Sequence, residues 1–120
     1  MEAPLKILAV DNEPAITQAM RFVFSDPCYE LTCVSSGHAA LARLDANSDL
    51  YDVIIVDEKM PALSGLELVR IIRHRGINGK IIVVSAHLTA ETRSRYEELG
   101  VRTMLGKPFN VGFLRAAVDR

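Results

Sequence analysis

Five short apolar runs punctuate the chain: LKILAV (5–10), YELTCV (29–34), DVIIVD (52–57), KIIVVSA (80–86) and VRTMLG (101–106). The third and fourth are almost continuously apolar and β-branched, the pattern of parallel strands covered on both faces. Between the runs, apolar positions recur every three or four residues, which predicts helices. Ile16, Ala19, Met20 and Val23 share a face after Pro14, a residue suited to a first helical turn. Leu41 and Leu44 do the same in SGHAALARLD, with Ser35 or Ser36 available as a cap. Leu66, Val69 and Ile72 repeat in SGLELVRIIRHRG, where Ser64 can start the helix and Gly76 end it. LTAETRSRYEELG is the most polar stretch and its inward face is thin, while Val111, Leu114 and Val118 line up in the last. Strand and helix alternate five times, which predicts an α/β domain with a parallel sheet and right-handed crossovers.

Polar residues collect where the strands end. The first run leads into Asp11, Asn12 and Glu13, the third ends in Asp57, the fourth carries Ser85, and Lys107 follows the fifth. In an open parallel sheet these ends lie along one edge, where α/β proteins place their sites. Each residue alone has a plain reading as cap, turn residue or surface charge, but four coincidences at matching strand ends are improbable. Two carboxylates about 5 Å apart repel by ~3 kcal/mol at an effective dielectric near 20. Such a pair needs a proton, a cationic side chain or a metal ion. Lys107 supplies one positive charge, and the remainder suits Mg2+, a hard cation that takes one or two carboxylates plus waters and phosphate oxygens. A carboxylate beside magnesium, an ammonium and a hydroxyl is equipped to attack phosphorus and form an aspartyl phosphate.

Bulk properties narrow the field. The chain has 120 residues, 49% of them apolar and 24% charged, with a formal net charge of −1. That length predicts one domain over residues 1–120. The balanced charge argues against a direct nucleic-acid binder, and no apolar run approaches a membrane span. With no secretory signal in MEAPLKILAV, a cytoplasmic location is the expectation. Cys28 and Cys33 flank one extended run, too far apart to pair. His38, His74 and His87 have no metal-ligand spacing. Arg70, Arg73 and Arg75 read as a solvated face. The last helix reaches Arg120 without a stop signal, so either the protein ends there or, the preferred reading, the chain is cut from something longer.

Taken in order, ILAVDNEP, VDEKMPALSGLEL, VVSA and GKPF resemble the receiver domain of bacterial two-component response regulators, over essentially the whole chain. The resemblance implies a flavodoxin-like, doubly wound five-stranded sheet of order 2-1-3-4-5 with helices on both faces. It implies phosphorylation by a histidine kinase or histidine phosphotransfer protein, with Asp57 as phosphoacceptor. Asp11 becomes an acid of the metal pocket, where it and Asp57 would hold Mg2+ together with the Asn12 amide oxygen and the Lys59 backbone carbonyl. Ser85 becomes the switch hydroxyl and Lys107 the ion-pair partner, joined to Pro108 by a cis bond. An effector beyond Arg120 or a separate partner would receive the signal, with a homodimer on activation as one output.

Two positions depart from that pattern. The family usually has two adjacent acids after the first strand, and here the second is Asn12, which predicts weaker magnesium binding unless Glu13 turns inward; an outward Glu13 on the rim is the expectation. Met104 stands where the family commonly places an aromatic switch residue, and methionine is flexible and adapts to many shapes. His87 and Lys59 are expected at the rim. Against the phosphorylation switch stands a degenerate receiver used for docking or dimerisation, supported by Asn12 and Met104. An enzyme on a similar sheet is disfavoured: an aspartate-nucleophile phosphatase wants an acid at position 59, and VDNEP would repel a flavin phosphate. The chain is therefore expected to assist only its own phosphorylation and dephosphorylation.

Overall fold

The structure, a computed structural model, describes residues 3–46 and 51–120. Its elements run β1 (Leu5–Val10), α1 (Pro14–Val23), β2 (Tyr29–Val34), α2 (Gly37–Ala46), β3 (Val53–Asp57), α3 (Gly65–His74), β4 (Lys80–Ser85), α4 (Ala90–Glu98), β5 (Thr103–Gly106) and α5 (Val111–Asp119). All strand pairings are parallel and the order is β2-β1-β3-β4-β5, as the resemblance implies. Among the described residues no helix is long and apolar enough to cross a membrane.

The three central strands are buried on both faces, and their side chains alternate between two cores. Leu8, Val10, Ile54, Val56, Ile81 and Val83 face a core completed by α2, α3 and Tyr96 of α4. Ile7, Ala9, Val53, Ile55, Ile82 and Val84 face the other, completed by Met20 and Val23 of α1 and Leu114, Ala117 and Val118 of α5. Helices α2 to α4 therefore cover one face and α1 with α5 the other. The expected faces hold except at two places. Ala19 and Val111 are exposed, because α1 presents Met20 and Val23 inward, and α5 begins its buried stripe only at Leu114.

Local chemistry starts and stops these helices where the site needs them. The Ser64 hydroxyl accepts from the Glu67 backbone N–H at 3.2 Å while Glu67 accepts from the Ser64 N–H, a reciprocal cap that sets the first turn of α3. Ser36 caps α2 through the Ala39 N–H at 3.0 Å, and Gly76 adopts φ +68° just past α3. Thr89 and Asn110 cap α4 and α5. Both cysteines are free. The arginines of α3 are not simply solvated: Arg73 donates to the Leu99 carbonyl at 3.0 Å, tying α3 to the end of α4, and Arg75 pairs with Asp45.

Candidate functional site

Parallel register brings the carboxyl ends of β1, β3, β4 and β5 to one edge. Val10 lies beside Val56, Asp57 beside Val84, and Ser85 beside Gly106. The side chains that follow converge in space from positions up to 96 residues apart. Lys107 Nζ stands 3.1 Å from Asp11 Oδ2, 3.1 Å from Asp57 Oδ1 and 3.0 Å from Glu13 Oε1. Asp11, Asp57 and Ser85 are the buried polar residues of the described chain, and Lys107 itself is only 11% exposed.

Each group is held by its neighbours. Asp11 Oδ1 accepts from the Glu13 backbone N–H at 2.9 Å, so the turn leaving β1 orders both acids. Lys107 is anchored by its own backbone N–H, which donates to the Ser85 carbonyl at 2.8 Å. The Ser85 hydroxyl accepts from the His87 N–H at 3.0 Å. The bond from Lys107 to Pro108 is cis. Asp57 Oδ2 has no hydrogen-bond partner among the described residues, although it is buried.

Electrostatics follow from one cation among three acids. Burial pushes the Asp57 carboxyl above the usual carboxylate range, and Asp11 adds to the effect. The Lys107 ammonium and the Lys59 backbone N–H oppose it without cancelling it. Burial pulls the Lys107 ammonium down, but its bonds to Glu13, Asp11 and Asp57 outweigh that and hold it above the ordinary lysine value. The two directions agree, since a single ammonium cannot satisfy three carboxylates. It stays charged while Asp57 grips a proton more tightly.

One oxygen each of Asp11, Glu13 and Asp57 lies within 4.8 Å of the others. Three negative charges against one positive leave a formal −2, which a single divalent cation would neutralise. Hard carboxylate oxygens and a free buried oxygen on Asp57 are the donor set magnesium takes. The residues fit the group.

The structure corrects one expectation and refines others. Glu13 turns into the cleft and reaches Lys107, rather than facing outward, because as N-cap of α1 its side chain makes no cap bond and the ammonium attracts it. Asn12 is exposed and lines a hollow that shares Asp11 with the cleft and also takes in Thr17, Arg21 and Cys33. Lys59 and His87 are exposed. Met104 is half-buried against the core that holds Tyr96. Sequence reasoning missed Tyr96, which is fully buried with its Oη unpartnered among the described residues. An aromatic in the otherwise polar LTAETRSRYEELG was the available signal.

Comparison with known proteins converges on the same architecture. Residues 7–119 match the response regulator receiver domain family. Response regulator MprA of Mycolicibacterium vanbaalenii is 32% identical over 106 residues, 88% of this chain and 45% of that protein. Sporulation initiation phosphotransferase F of Bacillus subtilis is 27% identical over 115 residues, 96% of this chain and 91% of that protein. The solved structure of chemotaxis protein CheY4 of Vibrio cholerae superposes with a TM-score of 0.89 at 30% identity, covering 98% of both chains. The chain thus spans less than half of the first relative and nearly all of the other two.

Proposed function

The chain belongs to the response regulator receiver domain family, and on that premise we propose that its 120 residues act as one phosphorylation switch with Asp57 as the acceptor. The observation that carries the reading is Asp57 itself: one oxygen is held by Lys107 at 3.1 Å and the other is buried without a partner among the described residues. The free oxygen is the nucleophile. A bond forms between it and the incoming phosphorus as the bond from phosphorus to the donor breaks, and the donor keeps the electron pair.

Lys107 balances charge on the acceptor, and Ser85, whose oxygen accepts from His87 in the unmodified protein, turns its own O–H toward the new phosphoryl oxygens. Asp11 and Asp57, with the Asn12 amide oxygen and the Lys59 backbone carbonyl, would hold magnesium, and Glu13 would supply the acid that position 12 lacks. When bound, that ion neutralises the phosphoryl oxygens during transfer. Met104 follows Ser85 by repacking a flexible side chain. Receiver domains work with histidine kinases or histidine phosphotransfer proteins, and such a protein is the donor we assign here. The domain changes no substrate but itself, and it passes the change to an effector beyond Arg120 or to a separate partner.

Incubation with acetyl phosphate and magnesium, read by intact-mass spectrometry, tests this. One phosphoryl mass gain, absent in Asp57→Asn, is expected. Absence of any gain in the unaltered protein would favour the docking reading.

A further inference from the structure

Within helix α4 one large side chain enters the core, while the helix end is held through Leu99. Tyr96 is fully buried, whereas the other residues of α4 are exposed apart from half-buried Thr92. The Tyr96 ring packs in the core with Leu68, Val83, Val101 and Met104, which would serve phenylalanine equally well. The hydroxyl is what needs explaining, because a buried O–H without an acceptor is costly.

Its position points toward the acceptor strand. Tyr96 Oη lies 2.9 Å from the point where Gly65 would carry a Cβ. That point is itself 2.5 Å from the Asp57 carbonyl oxygen and 2.8 Å from Glu58 Cα. A cavity of about 210 Å³ opens beside Tyr96, lined also by Glu58, Leu66, Glu91, Thr92 and Arg95. Burial, with the nearby charges of Glu58 and Asp57, keeps the phenol protonated, so it remains a donor. Glu58 is half-buried, directly follows Asp57 and borders the same cavity. Arg95, which also lines the cavity, pairs with Glu91 at 2.8 Å, and among the described residues no ion pair engages the Glu58 carboxylate.

We propose that Tyr96 is a positioning residue coupling Asp57 to α4, its hydroxyl donating to the Glu58 carboxylate across this cavity once Asp57 is modified. The inference rests on the reading of Asp57 as phosphoacceptor. Phosphorylation replaces one negative charge on Asp57 with roughly two. The Glu58 carboxylate is repelled from it into the cavity, the phenol meets it, and α4 follows because Tyr96 is its anchor. One new hydrogen bond of ordinary strength changes the ratio of the two conformers by about fivefold.

The test is amide hydrogen exchange across residues 90–98 in the unaltered protein and in Tyr96→Phe, each with and without magnesium and beryllofluoride. Loading of Asp57 is read independently by fluorine NMR. In the unaltered protein, loading changes α4 exchange. In Tyr96→Phe that change is expected to fall about fivefold while loading persists. Loss of packing alone would alter both states together and leave their ratio unmoved. An undiminished response in loaded Tyr96→Phe overturns the role of Tyr96 and leaves the acceptor reading intact. Failure of the unaltered protein to load overturns both.

Discussion

Replacing Lys107 with methionine removes the one positive charge in the cleft while keeping most of the side-chain volume. Two buried carboxylates, each 3.1 Å from the ammonium, are left facing each other within 4.8 Å. At an effective dielectric near 20 their mutual repulsion is about 3.5 kcal/mol. Removing one partner from a buried ion pair costs about 3–5 kcal/mol by a similar argument. The domain has an escape, which is to bind a proton. Neutralising a carboxyl of ordinary pKa near 3.9 costs about 1.36 kcal/mol per pH unit, hence roughly 5.6 kcal/mol at about pH 8 but only roughly 1.5 at about pH 5. The cheaper route sets the penalty. Lys107→Met should therefore lose about 3–5 kcal/mol at the higher pH and no more than about 1.5 at the lower.

The sign follows from Asp57. Its folded-state pKa already lies above the unfolded value through burial, and losing Lys107 raises it further. The favourable proton uptake is present at low pH and disappears as pH rises through the folded pKa. Urea unfolding followed by circular dichroism, at both pH values without divalent ions, measures the difference. An equal penalty at both would mean that the carboxylates are not held charged and dry together, and the electrostatic account of the cleft would fail.

Three further outcomes follow. Asp57→Asn should abolish phosphoryl labelling yet raise stability by about 1 kcal/mol at neutral pH in magnesium-free buffer, since it removes a buried charge that burial and Asp11 disfavour; destabilisation in urea unfolding would contradict this. Glu13→Gln should weaken magnesium binding about tenfold by titration calorimetry, with the fold intact, and unchanged affinity would mean that Glu13 does not face the ion. Gly65→Ala should cost about 2–3 kcal/mol, because its Cβ would meet the Asp57 carbonyl oxygen at 2.5 Å and Glu58 Cα at 2.8 Å, both backbone atoms that cannot rotate away; a neutral result in thermal unfolding would place slack in the turn.

Much of this molecule is legible in its residues, and the reason is geometrical. A strand buried on both faces has no choice but a continuous apolar run, so β1, β3 and β4 stand out, and their ends locate Asp11, Asp57 and Ser85. Ser64 declares the start of α3 because a hydroxyl three residues ahead of Glu67 satisfies two backbone donors at once. Side chains with several feasible directions are less legible. Glu13 sits at a helix start with freedom to face water, and only the position of Lys107, fixed by distant β5, decides otherwise. Val101 is buried yet precedes β5, because apolarity records burial and not strand pairing. Tyr96 is hidden for a similar reason: α4 lacks an apolar stripe, so nothing in its periodicity foretells that one aromatic will be the buried residue of the helix.

The ammonium that completes the cleft comes 96 positions after the first acid it neutralises. A ribosome therefore delivers Asp11, Glu13 and Asp57 well before their counter-ion exists. Until the fifth strand emerges, the acids have no lysine to gather around, and a half-made polypeptide holds no finished cleft. Late arrival of one residue thus ties assembly of the cleft to emergence of the fifth strand and the lysine that follows it.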